Sequence, residues 1–274
     1  LTNPSSIDEA NIPKQIGRAF VQGEIPNYPQ VFMNGTPLLT QADVKNRWAD
    51  GSVKFAVLSF VVPSIVAQGT ASFTVGNQST GNNTGFLTQS QMLGSSFDFE
   101  STIELTNANA AVITASARAM LTNGSFTYWL QGPVATSIIL ADHSATRAYD
   151  IGFDPFKSFR PIFHATFYPT INKVRVRFIG EVANTAAFQD LTQLPASTPT
   201  ASPTPAPTIA PITVRLYTGD SVPQLVYTKT GFSHYAASRW TKKFWIGSPP
   251  VELSYNPNGL YLATTKLVPC APPR

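Results

Sequence analysis

From Val53 to Phe60 the sequence sets Val53, Phe55, Val57 and Ser59 on one side of an extended chain and Lys54, Ala56, Leu58 and Phe60 on the other. Successive side chains of a strand point to opposite faces, so this alternation predicts β structure. The same period of two recurs at residues 16–21, 31–33, 53–62, 71–75, 102–105, 111–120, 126–131, 137–140, 162–168, 173–182, 212–217, 224–229, 241–246 and 251–255. β-branched and aromatic residues fill these segments, and Gly, Pro, Asn and Asp bound them. Residues 184–191 read as a turn or two of helix. The expected class is all-β.

Gln41 to Phe60 form the clearest local unit: a strand, an Asp50-Gly51 turn and a second strand entering the core. Asp-Gly between alternating runs signals a hairpin, because the turn needs positive φ and Gly supplies it without steric cost. Trp48, just before the turn, is placed to cover the hairpin mouth and is read as structural.

Residues 76–94, rich in Asn, Gln, Ser, Thr and Gly, carry no strand pattern and mark a boundary. The expectation is a compact β domain over 1–80 and an antiparallel β-sandwich over 95–274. The tract 195–211 holds six prolines. Proline lacks an amide donor and favours extended polyproline conformation, so no regular structure is expected there. Its flanks both alternate basic with apolar residues, at Lys173-Val174-Arg175-Val176-Arg177-Phe178 and Ile212-Thr213-Val214-Arg215-Leu216-Tyr217. They read as neighbouring strands of one sheet, with the tract as a loop inserted between them.

Composition narrows the setting. Charged residues make up 12% of the 274 residues, about half the roughly 25% usual for soluble proteins. Ser, Thr, Asn and Gln cover the surface instead, which suits an extracellular or cell-surface protein, or one packed against copies of itself. The net charge of +4 arises without a Lys/Arg cluster in a nucleic-acid-binding motif, so no nucleic-acid partner is expected. No run of about 18 apolar residues offers a membrane span. Cys270 is the single cysteine, so neither an internal disulfide nor a CxxC site can form. No cofactor or metal site is expected.

Three stretches carry a resemblance: Ile12-Pro13-Lys14-Gln15-Ile16-Gly17-Arg18-Ala19-Phe20, Gly23-Glu24-Ile25-Pro26 and Arg47-Trp48-Ala49-Asp50-Gly51-Ser52-Val53-Lys54. They are similar to the N-terminal rift-barrel domain of the exo-rhamnogalacturonan-lyase-like family of secreted bacterial proteins. In that family a large β-sandwich and then an α/α toroid follow. The part after Phe97, with Phe244-Trp245-Ile246-Gly247 and Leu260-Tyr261-Leu262, looks like the start of such a sandwich. The resemblance implies a rift-barrel-like first unit and a polysaccharide context. No catalytic residue of the family carries over, so it does not imply lyase activity.

The residues that could carry chemistry are scattered. Tyr235, Arg239, Lys242 and Lys243 lie close in sequence and would supply a base and cations for lyase chemistry if they faced one cleft. Solvated surface charge is the simpler reading of Arg239, Lys242 and Lys243. His234 sits in a segment read as a loop that would line a groove, whereas His164 reads as a satisfied strand histidine and His143 matches no triad. Lys173, Arg175 and Arg177 share one strand face, with Arg215 expected beside them, and such a face suits acidic sugars. Trp129, Trp240, Trp245, Tyr128 and Tyr168 are possible stacking platforms, and the polar neighbours of Trp240 make it the first choice for exposure.

The leading expectation is a secreted or cell-surface β module that binds or positions polysaccharide, an acidic one included, without catalysis. A self-assembling surface or filament subunit is the alternative, with copies of itself as partner. A polysaccharide lyase is the third.

Overall fold

The computed structural model describes residues 1–106, 112–141, 159–182, 208–235 and 239–266, the side chains of 182, 208–212 and 233–235 excepted. The fold is all-β and sandwich-like. The helix expected at 184–191, His143, Cys270 and most of the Pro/Thr tract lie outside the described residues.

Strands β1 (Glu9–Ala19), β5 (Val53–Ile65) and β4 (Thr40–Arg47) form an antiparallel sheet in the order β1-β5-β4. A second small sheet runs β3 (Thr36–Pro37), β2 (Tyr28–Met33), β6 (Phe73–Gln78). The two sheets share a core that includes Ile12, Phe20, Ile25, Val31, Leu58, Phe60 and Val62, but no ladder joins them into a closed barrel. The hairpin forms as its chemistry requires. Gly51 takes φ +86°, and the Asp50 carboxylate accepts from the Ser52 amide at 3.0 Å and its hydroxyl at 2.6 Å. Trp48 donates its indole N–H to the Phe20 carbonyl at 3.1 Å, closing the mouth of the turn.

The other face of β1-β5-β4 carries a polar row that is covered. Gln15, Ser59 and Gln41 stand in one cross-strand row, and Ser59 and Gln41 are 0% exposed. Burying polar side chains is tolerated only when they are hydrogen-bonded. Here a second unit supplies the partners. The Gln41 carboxamide accepts from the Val134 and Ala135 amides at 3.2 and 2.9 Å and donates to the Ala135 carbonyl at 2.8 Å.

That second unit is a sandwich. One sheet has the order β15 (Arg239–Ile246), β12 (Lys173–Val182), β11 (Phe159–Tyr168), β10 (Thr136–Ala141), β9 (Phe126–Leu130). The facing sheet has the order β14 (Gln224–Tyr235), β13 (Thr208–Thr218), β7 (Ser101–Thr106), β8 (Val112–Ser116). Phe163, Phe167, Val176 and Phe178 meet Ile103, Leu105, Val214 and Leu216 between the layers. Each buried side chain of this size stabilises the fold by roughly 1.5–3 kcal/mol.

Several expectations are corrected. Strands β12 and β13 are not neighbours: β12 lies between β11 and β15, and β13 between β14 and β7 in the opposite sheet. Similar patterns arise on both because each presents one face to the same core. The segment 111–120 stops being a strand at Ser116, whose hydroxyl accepts from the Ala119 amide at 2.9 Å and caps helix α2 (Ala117–Thr122), which follows the one-turn helix α1 (Gln89–Met92). Residues 251–255 form only an isolated bridge, Thr2 to Ser254. The end of the Pro/Thr tract is regular after all, since β13 begins at Thr208, and its ladder shifts register between Ile209 and Ile212, where Pro211 has no amide to give.

After β15 the chain returns to the first unit. Leu253 is buried in the first core, and Thr2 and Ser254 exchange backbone hydrogen bonds of 3.0 and 2.9 Å. Helix α3 (Gly259–Thr264) follows, and its Tyr261 hydroxyl donates to Glu24 beneath the Arg18 guanidinium, 4.5 Å from the ring centroid. Burial and the Glu24 carboxylate push the Tyr261 phenol up to about 12.

Candidate functional site

A groove follows the seam between the units. Its floor is the outer face of the β15-β12-β11-β10-β9 sheet, where cross-strand register fixes two rows. One row is Ile139, His164, Arg177, Lys243, and the next is Ser137, Thr166, Arg175, Trp245. Alternation along β12 sends Val174, Val176 and Phe178 into the core, so Arg175 and Arg177 must face outward. Strand β1 forms the opposite wall.

Two adjacent cavities with lining residues in common occupy this seam. One, of about 500 Å³, is lined by Lys14, Gln15, Tyr168, Arg175, Trp245 and Glu252 among others. The second, of about 270 Å³, includes Trp129, His164, Arg177 and Lys243 and shares Gln15, Arg175 and Lys243 with the first. Beyond Trp129 the seam continues to a third hollow of about 510 Å³ beside Tyr28, Lys45 and Arg47.

Aromatic faces and cations alternate along the groove. Trp129 is 51% exposed, its backbone carbonyl accepts from the Lys45 ammonium at 2.6 Å, and that ammonium lies 4.2 Å from its ring centroid. The Arg175 guanidinium sits 5.8 Å from the Tyr168 ring and donates to the Gln15 carboxamide oxygen at 3.0 Å. Tyr168 and Trp245 pack with centroids 5.6 Å apart. Arg47 lies 5.3 Å from the Tyr28 ring.

The titrating groups reflect a partly desolvated, electropositive seam. Burial holds the Lys14 ammonium below the usual lysine range, with Glu252 opposing and Arg175 reinforcing that shift. Burial also lowers Lys45, against the pull of Asp43. His164 is held below its ordinary value by burial first, then by Arg177 and Arg239. Asp43 is pushed up by burial, although Gln41 and the Gln131 amide donate to it.

The expected site residues separate. Arg175 and Arg177 line the groove, and Arg239 stands on the same sheet face, paired across from Glu181. Trp240 is not an exposed platform. It lies opposite Gly180 on the inward face, with ring centroids 5.0 Å from Phe178 and 5.3 Å from Phe232. Lys242 shares that side, its ammonium 4.2 Å above the Tyr227 ring. Arg215 does not join Arg175 and Arg177. It belongs to the other sheet and pairs with Glu104 at 2.7 Å. His234 and Tyr235 are not in a loop: their backbones pair with Ile209 and Thr208 within β14.

Lys14, Gln15 and Lys45 were not legible as site residues, because they come from the first unit and act only where it meets the second. Trp129 and His164 had a signal. Each alternates with a core aromatic, Tyr128 or Phe163, and so must face outward. Among the described residues no three metal-ligating side chains cluster, and no helix is long and apolar enough to cross a membrane. Comparison with family models, with curated proteins and with solved structures gives no match.

Proposed function

We propose that the protein is a secreted or cell-surface β module that binds an acidic polysaccharide along the seam between its two units, as a binding or scaffolding element rather than an enzyme. One observation carries this reading: the exposed Trp129 ring, with the Lys45 ammonium against it, lines a hollow with Arg175, Arg177 and Lys243, and that hollow shares Gln15, Arg175 and Lys243 with the one lined by Lys14. Sugar rings present C–H faces that stack on indole, and guanidinium pairs with carboxylate in a bidentate, charge-assisted way. Hollows in series suit a linear polymer better than a compact metabolite. The resemblance of the first unit to polysaccharide-associated proteins supports the same ligand class.

Calorimetric titration with uronic-acid oligosaccharides of increasing length tests the reading. Affinity should rise with length, fall with added salt as exposed charges are screened, and drop for carboxyl-reduced oligomers of the same backbone. Equal or absent binding of charged and reduced oligomers would sink it. Ultraviolet-absorbing unsaturated products in the same samples would replace binding by lyase action.

A second reading, self-assembly, has its own observation. Strand β14 is a sheet edge, and Val222, Leu225 and Val226 beside or within it are 62%, 52% and 40% exposed. Unprotected edges recruit further strands. Light scattering and negative-stain microscopy over a concentration series distinguish the two, since a monomer of about 30 kDa at all concentrations removes assembly as the main role.

A further inference from the structure

We infer that Gln15 is a positioning residue that aims Arg175 into the groove while leaving its charge, among the described residues, unpaired by carboxylate, and so sets the preference for an anionic ligand. The inference rests on the seam being the binding groove. Arginine has only donors, so the Gln15 atom facing Arg175 at 3.0 Å must be its carboxamide oxygen. The amide nitrogen is thereby directed to the Ser59 hydroxyl, to which it donates at 3.2 Å. Ser59 is fully buried in β5, so the Gln15 side chain is anchored at its far end by a fixed strand. The guanidinium is drawn to the neck shared by the two cavities, between β1 and β12.

The contrast with Arg215 shows what the choice of partner does. Arg215 also projects from a sandwich strand, but its partner is the Glu104 carboxylate at 2.7 Å, which compensates its charge. A neutral amide orients a guanidinium without cancelling its field. The holder comes from the first unit and the held cation from the second, so the feature exists only when the units are docked.

The test compares Gln15→Glu and Gln15→Met with the wild type, using a uronic-acid hexamer and its carboxyl-reduced form. Thermal melting establishes that each variant is folded. Glu at this position would pair with Arg175, so affinity for the charged hexamer should fall about tenfold. Its salt dependence should become shallower, while binding of the reduced hexamer falls clearly less. Met keeps the bulk and removes the acceptor. It should weaken charged-hexamer binding about threefold, and binding of the reduced form less. Retention of charged-hexamer affinity within about twofold in Gln15→Glu, or equal losses on both ligands in Gln15→Met, overturns the inference and leaves the groove reading intact. A wild type that binds neither ligand overturns both.

Discussion

Trp129 shows how much one residue's direction decides. It sits in Phe126-Thr127-Tyr128-Trp129-Leu130, where Tyr128 packs on the sandwich core and Trp129 turns to the groove. Trp129→Ala should lower affinity for a uronic oligosaccharide by roughly tenfold, as loss of an aromatic hot spot does. It should leave the melting temperature nearly unchanged, because the residue is already half exposed to water. Calorimetry and a thermal melt on the same preparation check both halves. His164 makes a pH prediction. Its folded pKa lies below the ordinary histidine value through burial and the nearby Arg177 and Arg239. The unfolded chain therefore binds the proton more readily, and stability rises with pH through the region just below and around that value. Stability is lost as pH falls, and His164→Gln should flatten that acid limb in urea denaturation run from pH 5 to 8. A parallel fall in both proteins would show that His164 is not responsible.

At the scale of elements, local chemistry and cross-strand packing can be separated by two glycines. Gly51 adopts φ +86° with nothing near its Cβ position, so Gly51→Ala tests backbone strain alone. It should cost about 1–2 kcal/mol. Gly180 has no such φ, but an added Cβ would lie 2.7 Å from the Trp240 ring. Gly180→Ala should force that ring from its place against Phe178 and cost about 1–3 kcal/mol through overpacking. Denaturant titration gives both values, and the native-state fluorescence of Gly180→Ala should report the displaced Trp240 ring. The hairpin was legible because its turn is governed by neighbouring residues. Helix α2 was not, since Ala117 and Met120 fit a strand pattern as well as a helix, and the decisive event is the Ser116 cap.

At the scale of the whole molecule, the first unit depends on chain from the far end. Leu253 completes its core, Ser254 pairs with Thr2, and Lys14 donates to the Leu253 carbonyl at 2.5 Å. Truncation after Ser248 should expose that core and selectively deprotect β1 and β5 in hydrogen exchange, while β11 and β12 keep their protection. Gln41 serves the other junction. Gln41→Ala would leave the buried Val134 and Ala135 amides without their acceptor, at roughly 1–3 kcal/mol for each unsatisfied group. The expected result is a lower midpoint and a broadened or split melting transition as the units uncouple. A single sharp transition at the wild-type midpoint would show that Gln41 does not hold them together.

The sequence by itself determined the all-β class, most strand positions, the Asp50-Gly51 hairpin and the outward direction of Arg175 and Arg177. Each follows from a period of two or from a turn whose geometry is set within a few residues. Which strands became neighbours was decided only in the tertiary structure. The alternating runs 173–178 and 212–217 look alike because both line one core, yet they stand in opposite sheets. The fate of Trp240 was decided there too, by the register that sets it over Gly180. So was the groove itself. Gln15 and Arg175 are 160 residues apart, and no local pattern relates them. They meet because a polar row on one sheet found hydrogen-bond partners in the second unit.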